Sequence, residues 1–323
     1  MTFKGYVMAS EFAGYIGDKL LSDPRQHTTG RYKDLPTTMA EMKRIGYAGI
    51  EVAPFTSGAP LDEDKGYKER VASVRKAADE SNGIVTGLHW ILSFLNAVNP
   101  LRDGLSLFQP TTSLATVYNY YVALIDYCSA LGGTYLVHGS PPSRRCDEAC
   151  DLNEAMNWVR FFYNSFGPTH LSEIELLEYA KQKKVRIGFE PLATNETNFI
   201  NTVSEGLELA NLVDHPNFGI TIDVKAMAAE GKGESVPDII RSIGNENVGK
   251  IVAVHFNDPS LTGPGLGAWG KTEFEQVMGA LAEMGWEGYI TIEPFKQLSC
   301  STREDCEKIY HFLKDCEKNV FKG

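Results

Sequence analysis

Four residues in the second half of the chain have types and a spacing suited to shared chemistry. Glu190, Asp223, His255 and Glu293 are separated by 33, 32 and 38 residues. Each stands at the end of a short apolar run: "VRIGFEP", "FGITIDV", "IVAVHFND" and "GYITIEP". If those runs are neighbouring parallel strands, the four side chains meet at one end of the sheet. Three carboxylates held together repel unless a cation lies between them. Three carboxylates and one imidazole form a hard, oxygen-rich set, better suited to Mn²⁺, Mg²⁺ or Co²⁺ than to a thiolate-preferring metal. One divalent ion is therefore expected, Mn²⁺ first. Glu190 and Glu293 are each followed by proline. Proline has no N–H to extend a ladder, so it stops the strand one residue beyond the carboxylate.

An ion in such a site can polarise a carbonyl and an adjacent hydroxyl. The neighbouring C–H becomes acidic, and a positioned base can remove its proton. The resulting enediolate has three fates. It is reprotonated on the other face (epimerisation), reprotonated on the neighbouring carbon (isomerisation), or expels a leaving group from the β-carbon (elimination). The first step is common to all three, and the groups around the ion choose among them.

The elements that must position these residues can be read from periodicity. Eight short apolar runs stand out, at 6–9, 48–54, 83–90, 133–139, 185–191, 218–224, 251–258 and 288–294. Most are continuous rather than alternating, as parallel strands buried on both faces are. Helical stretches lie between and after them, at 37–46, 67–83, 113–133, 171–184, 203–213, 235–245, 272–285 and 302–318. Strand–helix alternation repeated eight times predicts an α/β fold, a (β/α)₈ TIM barrel, over 1–323 as one domain. A doubly wound open sheet is the competitor, but no G-x-G-x-x-G follows any strand. The longest interruptions, 11–36, 93–112 and 141–169, follow strands one, three and four. They are expected as long loops on the C-terminal face, where barrel active sites are built.

Other strand tips offer further candidates. Glu51, His89 and Trp90 are expected to contact substrate, as are Arg145, Lys225 and Asn257. His138 closes strand four in "YLVHGSP" and is a candidate base. Arg144 and Arg145 follow it and read as surface charges or anion contacts. "GPGLG" at 263–267 is expected to shape a tight turn beside the metal, because no Gly-Lys-Ser/Thr follows to make a phosphate loop.

Composition bounds the partners. The formal net charge is −11, which argues against nucleic acid and anionic membranes. No apolar run approaches the ~18 residues of a membrane helix. The start, "MTFKGYVMAS", lacks a basic region followed by a long apolar stretch. Six cysteines form no C-x-x-C pair, and Cys146 and Cys150 have no matching Cys/His pair nearby, so reduced thiols and a cytoplasmic location are expected.

The sequence resembles the xylose-isomerase-like barrels of the sugar phosphate isomerase/epimerase group, which includes ketose 3-epimerases and the apurinic endonuclease family 2 fold. The resemblance covers nearly the whole chain. It is carried by "GYAGIEVAPF", "GLHW", "HGSPPSRR", "GFEPL", "IDVKAM", "VHFNDPSLTGPGLG" and "ITIEPF". It implies that Glu190, Asp223, His255 and Glu293 bind one divalent metal, and that Glu190 and Glu293 also move protons. It implies a sugar or glycoside as substrate. An endonuclease role would need more metal ligands, and the seven histidines and acidic balance oppose it. The chain departs from the ketose-epimerase pattern in two places. Ala226 stands where those enzymes have His, and Leu261 where they have Arg. Lys225 is a candidate replacement. With His138 as base, the arrangement is similar to that of bacterial C-glycoside deglycosidases. That similarity implies a lyase on 3-oxo-glycosides, with a small accessory (beta) subunit or a homo-oligomer as partner. The alternative is a sugar or sugar-phosphate isomerase or 3-epimerase.

Overall fold

The computed structural model describes residues 2–17, 31–57, 66–92, 105–108, 113–146, 151–166, 174–230 and 233–322. Eight parallel strands close into a barrel: β1 (Gly5–Ala9), β2 (Gly49–Val52), β3 (Ile84–Leu88), β4 (Tyr135–His138), β5 (Arg186–Phe189), β6 (Phe218–Asp223), β7 (Ile251–Phe256) and β8 (Tyr289–Ile292). Each pairs with its sequence neighbours, and β1 closes the ring against both β2 and β8. The expected (β/α)₈ architecture is the one observed.

Alternation along the strands divides their side chains between two environments. Ile187 and Phe189 on β5, Ile220 and Ile222 on β6, Val254 and Phe256 on β7, and Ile290 and Ile292 on β8 face outward into the main hydrophobic cluster. That cluster also takes the inner faces of the surrounding helices. The intervening positions point into the barrel and lead to Glu190, Asp223, His255 and Glu293. Asp223 lies in direct register with His255, and His255 with Thr291. The backbone N–H groups of Glu190 and Glu293 donate to His138 O (3.2 Å) and Phe256 O (3.0 Å). These bonds lie one residue before Pro191 and Pro294, which have no N–H to add another.

The helices are α1 (Ser10–Ala13), α2 (Leu35–Ile45), α3 (Tyr67–Ser81), α4 (Leu114–Leu131), α5 (Leu152–Asn164), α6 (Leu176–Gln182), α7 (Val203–Val213), α8 (Val224–Ala228), α9 (Val236–Ser242), α10 (Lys271–Glu283) and α11 (Thr302–Val320). Their starts follow local chemistry. Asp34 caps α2 by accepting from Thr37 N at 2.8 Å, and Thr202 and Glu205 form a capping box on α7.

One segment differs from expectation. The stretch 141–169 is not all loop, because it carries α5. Asp151 caps that helix, and Ala155, Met156, Val159, Phe162 and Tyr163 form its buried face. Parts of the interruptions at 11–36 and 93–112 lie outside the described residues, as does Cys150. Cys146 is buried. Among the described residues no helix is long and apolar enough to cross a membrane.

Candidate metal centre

The four tip residues converge. Glu190, Asp223, His255 and Glu293 each present a ligand atom, and these atoms all lie within 4.8 Å of one another. His255 Nδ1 is 3.0 Å from Glu293 Oε2 and 3.4 Å from Glu190 Oε1. All four side chains are buried. Glu190 Oε1 is buried with no hydrogen-bond partner. A carboxylate oxygen left bare in a closed site is costly unless something binds it. The hard donor set and this oxygen fit a divalent cation.

Three of the four side chains are held from behind. Asp223 Oδ1 accepts from Ala226 N at 2.7 Å, and its Oδ2 from Asn257 Nδ2 at 2.8 Å. Glu293 Oε1 accepts from Trp90 Nε1 at 2.6 Å. His255 Nε2 is 3.0 Å from Glu51 Oε1. Glu190 owes its room to Gly139, where a Cβ would overlap the Glu190 carboxylate. Burial pushes Asp223 up to about 7, opposed by Lys225 and reinforced by Glu190 and Glu293. Burial disfavours the charged His255, but Glu51 and Glu293 outweigh it and raise His255 well above the usual imidazole range.

The structure corrects the role expected of His138. On β4, Tyr135 and Val137 point into the barrel, whereas Leu136 and His138 point out towards α4 and α5. His138 Nδ1 lies 2.8 Å from the hydroxyls of both Tyr121 and Tyr163, and its Nε2 is 3.1 Å from Ser143 Oγ. Its ring packs on Phe189 with centroids 4.7 Å apart. Burial, with Arg144 beside it, pushes His138 well below the usual range. It is a neutral core histidine pinning two helices to β4, facing away from the cluster.

The expected substrate contacts divide. Glu51 is a strut beneath the site. It is fully buried and accepts from Tyr135 Oη (2.5 Å) and from Thr291 Oγ1, besides meeting His255. His89 is buried between Glu11, whose Oε2 is 2.9 Å from Nε2, and Glu51, whose Oε1 is 3.2 Å from Nδ1. Trp90 is half-buried between Phe55 and Phe295 and adopts a left-handed φ of 52°. That strained backbone turns its indole N–H onto Glu293. Asn257 is fully buried, and its Oδ1 accepts from Lys225 N at 2.8 Å while Nδ2 holds Asp223. Lys225 places Nζ 3.0 Å from Glu196 Oε1 and 4.6 Å above the Phe295 ring. Burial opposes its charge, but Asp223 and Glu196 keep it firmly protonated. Arg145 is exposed and donates to Glu196 O at 3.1 Å, outside the cluster.

Arg144 is not the surface charge its sequence context suggested. It is fully buried, with its guanidinium 4.7 Å over the Phe189 ring. Burial pushes it down to about 10, against the pull of Glu190 and Glu196.

Glu11 and Asp258 were not singled out from the sequence. Glu11 is the second residue of α1, directly after β1, and meets His89. Asp258 is fully buried and accepts from the backbone N–H groups of Ser260, Ala268 and Trp269 at 2.8–2.9 Å, which closes the loop after β7. The "HFND" context was the available signal, since Asp readily gathers backbone N–H groups in a loop. The glycines at 263–267 serve the same loop, and Gly265 sits at φ 77° against Phe312.

Comparisons with known proteins bear on the family and the fold. The model of the xylose isomerase-like TIM barrel family matches residues 39–316. The chain belongs to that family. Among curated proteins, D-psicose 3-epimerase of Ruminiclostridium cellulolyticum is 27% identical over 266 residues, covering 80% of this chain and 77% of that protein. L-ribulose 3-epimerase of a Methylomonas species is 29% identical over 120 residues, covering 37% of this chain and 39% of that one. Among solved structures, an L-ribulose 3-epimerase superposes with a TM-score of 0.72 at 16% identity, covering 100% of this chain and 96% of the other. At that identity the structural likeness is one of fold.

Proposed function

We propose that this protein is a divalent-metal-dependent isomerase or epimerase of a sugar, taking a proton from the carbon next to a carbonyl. The observation that carries this reading is the meeting of Glu190, Asp223, His255 and Glu293 within 4.8 Å, with one Glu190 oxygen bare. The curated relatives, named as 3-epimerases, support the reaction class. All four residues would hold the ion, which when bound polarises the substrate's carbonyl and hydroxyl oxygens.

The chain's own groups supply the rest. Glu190 and Glu293 stand just past the ends of β5 and β8, three strands apart, so they reach a bound sugar from different sides of the barrel axis. One removes a proton and the other returns one. Glu293 is held ionised. Burial opposes this, but His255, His89 and Trp90 lower it below the usual carboxylate range. Lys225, protonated beside the cluster, places a cation where the family pattern's His and Arg are absent at Ala226 and Leu261. Trp90 and Phe295 offer aromatic faces for the apolar side of a sugar ring.

The lyase expectation rested on His138, on the two departures from the epimerase pattern and on the long loops, with His138 or one of the glutamates as base. His138 faces the helices, which leaves the two glutamates as the proton carriers, and the relatives named as 3-epimerases favour interconversion over elimination. The test is to incubate Mn²⁺-loaded protein with a panel of ketoses in D₂O. Deuterium next to the carbonyl, with an epimer or aldose appearing, is the expected result. Glu190→Gln should lower the exchange rate by about 10²–10⁴-fold, the usual worth of a general acid–base group. No solvent deuterium in any ketose, or aglycone release from a 3-oxo-glycoside without sugar interconversion, would sink the proposal.

A further inference from the structure

The Glu293 carboxylate serves two clusters. Its Oε2 lies 3.0 Å from His255 Nδ1, on the side of Glu190 and Asp223. Its Oε1 lies 3.9 Å from His89 Nε2, on the side of Glu11. Glu11 Oε2 is 2.9 Å from the same His89 nitrogen. Glu11, His89 and Glu293 thus form a second group of buried ligand atoms within 4.8 Å of one another.

The two halves are built alike. Each imidazole stands between Glu51 and Glu293. His255 turns Nε2 to Glu51 Oε1 at 3.0 Å and Nδ1 to Glu293 Oε2. His89 turns Nδ1 to the same Glu51 oxygen at 3.2 Å and Nε2 towards Glu293 Oε1. A metal-ligating histidine commonly gives its other N–H to a carboxylate, which fixes the tautomer and aims the free nitrogen. His89 Nδ1 makes no well-formed hydrogen bond, and Glu51 is the carboxylate it faces. Charge points the same way. Glu11, Glu51, Glu190, Asp223 and Glu293 are all buried around two imidazoles, a strong excess of negative charge in a closed space. The Trp90 N–H uses one lone pair of Glu293 Oε1 and leaves the other free.

We propose that Glu11, His89 and Glu293 form a second divalent-cation site, with Glu293 bridging the two ions. The inference rests on the metal reading of the first cluster. Two carboxylates and one imidazole make another hard site for Mn²⁺-class ions. Three protein ligands leave open positions for water or a substrate oxygen. Ions sharing one carboxylate lie about 3.5–4 Å apart in two-metal enzymes, close enough to bind neighbouring substrate oxygens together.

The test uses the full-length protein, stripped of metal, reconstituted with Mn²⁺ and desalted. Bound manganese is then counted by mass spectrometry and examined by electron paramagnetic resonance. Two ions per chain with an exchange-coupled spectrum are expected. His89→Gln should halve the manganese and leave the six-line spectrum of an isolated ion. Glu11→Gln provides a second variant if circular dichroism shows that His89→Gln does not fold. One ion per chain in the wild type, lost in Asp223→Asn, overturns the second site and leaves the first standing. No ion at all overturns both. Two ions retained in a folded His89→Gln or Glu11→Gln variant overturn the ligand assignment.

Discussion

Glu51 Oε1 and His255 Nε2 meet at 3.0 Å beneath the cluster, while the other nitrogen of His255 faces the metal-site carboxylates. This contact fixes which nitrogen of His255 is free to ligate. It also explains why a carboxylate is tolerated in the barrel interior, since Glu51 is surrounded by donors. Glu51→Gln should therefore weaken Mn²⁺ binding by about 10–100-fold, as loss of an orienting carboxylate does at other metal sites. Isothermal titration of the metal-free protein measures this, and an unchanged affinity would remove Glu51 from the supporting role.

Metal binding and stability should depend on pH in opposite senses. Burial raises Asp223 to about 7, and Glu51 and Glu293 raise His255 well above its usual value. Groups with raised folded values stabilise the fold below their unfolded values, and that stability is lost as pH rises through the folded ones. Metal-free protein should lose thermal stability as pH rises through this range. Mn²⁺ competes with protons at both groups, so its affinity, and the shift in Tm it produces, should grow from pH 6 to pH 8. Melting curves with and without Mn²⁺ test both signs, and a Tm shift that shrinks with rising pH would contradict the argument.

Trp90→Phe keeps the ring and removes one of the groups that, after His255 and His89, help to keep Glu293 ionised. A hydrogen bond to a charged group contributes about 1.5–3 kcal/mol, so Glu293 should titrate at higher pH in the variant. The acid limb of the kcat/KM profile should move up by about one unit or more. A limb that stays in place would mean that Trp90 serves packing alone.

His138→Ala leaves the hydroxyls of Tyr121, Tyr163 and Ser143 with an unfilled space between them. The expected cost is about 2–4 kcal/mol of folding stability, from buried polar groups and a cavity. Solvent-exchange activity of the folded fraction should persist. Urea unfolding alongside the D₂O assay separates the two effects. Full stability with abolished exchange would return His138 to the chemistry.

The barrel and the four converging side chains were legible because continuous apolar runs recur at one-unit spacing and end in the same kinds of residue. The direction of His138 was also legible, though only through the alternation of β4. Tyr135 and Val137 share the inward face, so a residue one position beyond Val137 points out. Standing at a strand tip is not enough; the parity of the position decides. Glu11 could not be read this way, because β1 passes directly into the one-turn α1 and the strand period stops before reaching it. Arg144 escaped because its burial depends on Phe189 and Ile200, which are distant in sequence. Helix α5 was legible too, since Ala155, Met156, Val159, Phe162 and Tyr163 recur at helical spacing behind the Asp151 cap, but the length of the interruption drew it into a loop reading.

Gly139 gives Glu190 its space without binding anything. A single added methyl there would collide with Glu190 Oε2 and push the whole carboxylate out of place. Gly139→Ala is therefore a way to disable the centre while every ligand remains in the chain. A survey that looked only for the four ligands would count such a variant as intact.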